Sequence, residues 1–146
     1  MIRTLACICL FLSVAAPAPA EVLVIANRSV PVRSLDSATL FDLYSGDIKV
    51  WANGQPVVLV DLSQSGETRD LFYRFLGKSP SRMKSIWMKN LLSGEGKPPT
   101  SIETEGELLR TIADTPGAIG YVSRSKAAAV DSDVVTLIVI GSEAAK

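Results

Sequence analysis

The sequence predicts an α/β fold, a mixed sheet flanked by helices. Two observations carry this. Short apolar runs rich in Val, Ile and Leu alternate along the chain with segments of helical periodicity. The runs are continuously apolar rather than alternating apolar and polar, which is the pattern of strands covered by helices.

The elements follow in order. Glu21–Asn27 (EVLVIAN) is a β-rich apolar run and reads as a buried strand. Pro31 falls in the connection after it. Residues 34–46 read as a helix, with Ser34 or Asp36 as N-cap, Leu40, Leu43 and Tyr44 on one face, and Gly46 as the left-handed stop. Trp51–Gly54 (WANG) has Asn-Gly turn punctuation. Pro56–Leu62 reads as a second buried strand. Leu71, Phe72, Phe75 and Leu76 form a helical stripe ending at Gly77. The next helix has Ser79 as N-cap and Pro80 at its first position, with Met83, Trp87, Asn90 and Leu91 at helical spacing and Gly94 at its end. Residues 93–99 read as a loop. Thr104 and Glu107 match a capping box ahead of Leu108, Leu109 and Ile112. Residues 118–122 read as a short strand, 126–133 as a connector and 134–140 as the last strand. No repeat or second domain is visible.

Residues 1–20 have a different character. A positive start at Arg3, an apolar stretch over 5–16 and the small residues Ala18-Pro-Ala20 have the layout of a secretory signal peptide. The apolar stretch is shorter than the roughly 20 residues a membrane span needs. Cleavage after Ala20 leaves residues 21–146 as one domain, without a transmembrane segment, and predicts a periplasmic location. Losing Arg3 leaves the mature chain one charge on the acidic side of neutral, so no global field draws it to nucleic acid or anionic membrane.

The chain has no histidine, and its two cysteines, Cys7 and Cys9, lie in the leader. Zinc and haem binding and Ser-His or Cys-His catalysis lose their usual residues. The expectation is a non-enzymatic protein with no cofactor and no metal. The best candidate site is residues 61–69 (DLSQSGETR), where a strand gives way to a helix. Helix-start N–H groups lack internal partners and carry partial positive charge. Gly66 lets a ligand approach the backbone, Ser63, Ser65 and Thr68 can donate hydroxyl protons, and Arg69 can supply a charged contact. The competing expectation is that one of these hydroxyls caps the helix, while Glu67 and Asp70 already complement its dipole. The glycines of Gly117–Tyr121 (GAIGY) are expected to permit tight packing. The cations Arg74, Lys78, Arg82, Lys84 and Lys89 are expected to form a solvated face.

The motif order resembles a known family. Val24–Asn27 (VIAN), Pro31-Val32, Leu35 to Gly46, Trp51 and Gly54, Ser65-Gly66 with Thr68-Arg69, and Pro116–Val122 (PGAIGYV) look like the phosphate-binding proteins of ABC transporters. The resemblance implies a type II periplasmic-binding-protein-like fold, here as a single lobe over 21–146. It implies that phosphate or a similar oxyanion is held by Ser63, Ser65, Gly66, Thr68 and Arg69, for uptake or sensing with a membrane transporter or sensor. Two departures stand against tight capture: Glu67 interrupts the Ser-Gly-Thr turn and Asp61 stands near the position of the family's upstream arginine, which has no counterpart here, and a single lobe leaves one side of the ligand in water. The alternative is a ligand-free interaction module of the same fold, docking on a membrane sensor or transport partner.

Overall fold

The computed structural model describes residues 14–16, 19–127 and 132–141. Most of the expected signal peptide, including both cysteines, lies outside them. So does half of the connector before the last strand, residues 128–131.

Ten elements follow one another: β1 (Glu21–Asn27), α1 (Ser37–Ser45), β2 (Val58–Leu62), α2 (Glu67–Leu76), α3 (Pro80–Leu92), β3 (Thr100–Ile102), α4 (Glu105–Asp114), β4 (Ala118–Ser123), α5 (Arg124–Ala127) and β5 (Val134–Gly141). The strands form one mixed sheet in the order β3-β2-β4-β1-β5. β2 runs parallel to β3 and β4, and β1 runs antiparallel to β4 and β5. The α/β class with helices flanking a mixed sheet is therefore what the sequence predicted. The continuous apolar strands are the ones buried on both faces: β1 is buried from Val22 to Asn27, and β4 from Ala118 to Val122.

Local chemistry explains most boundaries. Asp36, and not Ser34, caps α1 by accepting from the Thr39 N–H at 2.7 Å, and Gly46 closes it at φ +87°. Ser79 caps α3 through the Arg82 N–H, with Pro80 in the first turn, and Thr104 caps α4 through the Glu107 N–H. β2 starts at Val58 and not at Pro56, because a proline has no N–H to give a ladder; Pro56 instead forms an isolated bridge with Val50.

Three elements depart from expectation. β3, just beyond the expected loop, has no counterpart in the sequence reading, since it has only three residues and Ile102 alone is buried. α5 makes a single helical turn where a connector was expected. Leu91, which falls at helical spacing with Met83 and Trp87, is 45% exposed; Met83 and Trp87 carry the packing of α3.

The core lies on both faces of the sheet. Phe72 of α2 stacks on Tyr121 at 3.9 Å between centroids, and Tyr44 of α1 meets Phe72 edge-on. The Tyr44 hydroxyl donates to the Val60 carbonyl at 2.8 Å, and the Trp87 indole N–H donates to the Tyr44 carbonyl at 2.7 Å. Helix α4 seats against β4 because Gly120 has no side chain. A Cβ there would come within 2.8 Å of Ile112 Cδ1. Gly117 has φ +79°, and a Cβ would lie 2.3 Å from the Pro56 carbonyl oxygen, so only glycine fits. The buried Asn27 amide donates to the Ile112 and Ala113 carbonyls, satisfying the end of α4.

Candidate functional site

The carboxyl ends of β2 and β3 lie side by side, with Leu62 paired to Ile102. The chain leaves β2 through Ser63, whose N–H donates to the Ile102 carbonyl at 2.8 Å, and enters α2 at Glu67. In open α/β sheets ligands bind in crevices outside the carboxyl ends of parallel strands. The predicted site is at such a place.

Helix α2 begins without a side-chain cap. Its N-cap is Gly66, in extended backbone, and no serine or threonine oxygen accepts from its first N–H groups. The expectation that a hydroxyl of the 61–69 stretch caps this helix is therefore corrected. Ser63 and Ser65 are exposed on the approach to the helix, and Thr68 is already inside its first turn. Only a side chain at the N-cap position itself reaches the N2 or N3 N–H. A Cβ on Gly66 would meet nothing within 4 Å, so the space before the helix start is open.

Arg69 points back toward the end of β2. Its Nη2 lies 3.4 Å from Asp61 Oδ2, and its Cζ sits 4.9 Å from the centroid of the Tyr73 ring. Arg69 Nε is buried and has no hydrogen-bond partner. The guanidinium thus keeps most of its donors uncommitted.

Asp61 is the centre of this arrangement. Its residue is 5% exposed. The Tyr73 hydroxyl donates to Oδ2 at 2.7 Å and the Tyr121 hydroxyl to Oδ1 at 2.5 Å. Tyr121 in turn accepts from the Leu62 N–H at 3.3 Å. A buried carboxylate is tolerated when it is paired and hydrogen-bonded, and here both oxygens are engaged. Burial, followed by the charge of Asp61 and the hydrogen bond to it, pushes the Tyr73 and Tyr121 hydroxyls far above their ordinary pKa. Burial pulls the Arg69 guanidinium down, but the charge of Asp61 and the neighbouring tyrosines outweigh it, and its pKa rises. Asp61 read in sequence as a charge opposed to an anion site; the structure also makes it the anchor that holds Arg69.

The five predicted residues do not surround one cavity. Ser65, Gly66, Thr68 and Arg69 line a cleft of about 250 Å³, together with Glu67, Glu103 and Glu105. Ser63 and Arg69 line a second cleft of about 370 Å³, together with Asp61, Lys84 and Ser101. Arg69 is the wall between them. Sequence reasoning missed Tyr73, Lys84 and the glutamates of residues 103–105. Tyr73 had no distinguishing signal, and Lys84 looked like any other cation of a solvated face. Tyr121 is fully buried and committed to Asp61. Among the described residues no group of three His, Cys, Asp or Glu could hold a metal ion. No helix among them is long and apolar enough to cross a membrane.

Solved structures share this fold. A protein from Clostridium perfringens, described as a phosphate ABC transporter substrate-binding protein with bound phosphate, superposes with a TM-score of 0.65 at 23% identity, over 82% of this chain and 45% of its own. An ABC-type phosphate transport receptor from Vibrio cholerae gives 0.60 at 18% identity, over 81% and 45%. PstS from Borrelia burgdorferi gives 0.61 at 15%, over 82% and 47%. The chain thus spans less than half the length of each of these neighbours. No curated protein sequence matches the chain. The family model described as PBP superfamily domain matches residues 20–145, nearly the whole chain. The chain belongs to the PBP superfamily domain family.

Proposed function

We propose that the protein is a periplasmic substrate-binding-type domain that takes up a small oxyanion, phosphate or a relative, at the start of α2. The ligand groups are the N–H groups opening the helix, the hydroxyls of Ser63, Ser65 and Thr68, open backbone at Gly66, and the guanidinium of Arg69. The observation that carries this reading is the uncapped start of α2, where hydroxyls stand beside free N–H groups and bond to neither. The neighbours described as phosphate transport proteins support phosphate as the first ligand to test. In this reading the protein hands its ligand to a membrane transporter or reports it to a sensor.

Affinity is modest, for an electrostatic reason. Glu67, Glu103 and Glu105 share the cleft with the anion, against the single Arg69. The test is a calorimetric and thermal titration of residues 21–146 with inorganic phosphate. Ligand at 100 times its Kd adds about 2.7 kcal/mol of stability. Ser65→Ala and Thr68→Ala should weaken binding, and Glu67→Gln should strengthen it. No heat and no rise in Tm at millimolar phosphate or sulfate overturns the reading.

A second reading, an interaction module without a ligand, is favoured by α3. Its outer surface exposes Met88, Leu91 and Leu92, and residues 71–94 contain five cations and no acidic residue. That surface suits an acidic, partly apolar partner such as a sensor or transporter domain.

A further inference from the structure

We infer that the cleft on the far side of Arg69 is a separate binding site for a small aromatic anion, a flat apolar body carrying one carboxylate or phosphate group. It uses the same arginine as the turn described above but goes beyond that reading in place and in ligand.

The two clefts flanking Arg69 differ in the sign of their charge. Around the turn, three glutamates face one arginine, a local balance of −2. In the second cleft, Arg69 and Lys84 face Asp61 alone, a balance of +1. Asp61 is moreover engaged at both oxygens by Tyr73 and Tyr121. Lys84 is exposed and has no ion-pair partner among the described residues. An anion entering this cleft meets two cations, one of them free.

The walls add the rest of the ligand's description. Ser63, just after β2, and Ser101, within β3, line the same cleft as Arg69 and supply hydroxyls. Trp87, Met88 and three prolines make the remaining surface apolar. A volume of about 370 Å³ is in the range of small-molecule sites. Inorganic phosphate would leave the apolar wall in water, whereas an aryl group would cover it. The Arg69 side chain makes its one hydrogen bond among the described residues to Asp61 and stays 19% exposed, so it retains donors for a ligand.

Phenyl phosphate and inorganic phosphate are the two probes, titrated by calorimetry into wild type, Lys84→Ala, Met88→Glu and Ser65→Ala. Lys84 and Met88 are exposed, so both variants should fold. Phenyl phosphate is expected to bind about tenfold or more tightly than inorganic phosphate, since the ring adds buried apolar area. Lys84→Ala should weaken it about two- to fivefold. Met88→Glu should weaken it further, and Ser65→Ala should leave it unchanged. Equal affinity for the two probes, or no effect of Lys84→Ala and Met88→Glu, overturns the inference. Phenyl phosphate binding that responds to Ser65→Ala while Lys84→Ala is silent overturns it and leaves the turn site standing. Phenyl phosphate binding that responds to Lys84→Ala, with no binding of inorganic phosphate, supports it and removes the turn site. If neither probe binds, both readings fall.

Discussion

Asp61 and the Ser65 turn lie on one short stretch of chain and are treated in opposite ways. Asp61 is buried, and each of its oxygens accepts a hydrogen bond from a tyrosine. Ser65, Gly66 and Thr68 face an open cleft, and no side chain caps the helix they introduce. The first group is polar matter consumed by folding. The second is polar matter that folding leaves unused. Residue type does not separate them, since a serine or a carboxylate can play either part; what separates them is whether neighbours close over the atom.

This contrast can be broken most severely at Asp61. Asp61→Ala leaves two buried tyrosine hydroxyls and Arg69 without their common partner. A loss of about 3–5 kcal/mol is expected, read as a lower midpoint in urea unfolding. A loss below about 1 kcal/mol would mean the cluster contributes little.

Next in size is Tyr73→Phe, which removes one donor from a buried carboxylate. It should cost about 1.5–3 kcal/mol by the same measurement. Tyr121→Phe should cost at least as much, because the Leu62 N–H also loses its acceptor.

Alkaline pH probes the cluster without mutation. Tyr73 and Tyr121, and also Tyr44, have pKa values raised in the fold by burial and by the charge of Asp61. An unfolded tyrosine titrates near pH 10. A raised folded value means the unfolded chain loses the proton first. The stability these groups contribute is therefore fully present below about pH 10 and is lost as pH rises above it, by about 1.4 kcal/mol per pH unit for each such tyrosine. Unfolding midpoints measured from pH 8 to 11 should be flat and then fall. In Tyr73→Phe the fall should be shallower.

The smallest effects lie at the turn. Ser65→Ala and Thr68→Ala remove hydroxyls that bond nothing in the fold, so stability should stay within about 0.5 kcal/mol. Ser79→Ala and Thr104→Ala remove working caps and should cost about 1 kcal/mol each. If all four behave alike in thermal melts, the distinction between consumed and unused hydroxyls fails.

Much of the fold was legible because the signals were local. Ser79-Pro80 and Thr104 with Glu107 mark helix starts that depend on neighbours within one turn. The apolar strands were legible because their composition reflects cover on both faces. β3 was not, since a strand of three residues with one buried side chain is defined by the neighbour it pairs with. The candidate site was legible at its turn. Its division into two clefts was not, because Lys84, Ser101 and Glu103 come to Arg69 from other elements.

The sequence alone therefore determined the class of fold, most element starts and the packing glycines, since each depends on the conformation of a few adjacent residues. Only the tertiary structure decided the fate of the charges. Asp61 became an anchor rather than an exposed obstacle because Tyr73 and Tyr121 fold over it. The acidic and basic sides of Arg69 were set by which distant strands and helices pack beside it. Electrostatic interaction depends on distance and burial, and neither is written in the spacing of residues along a chain.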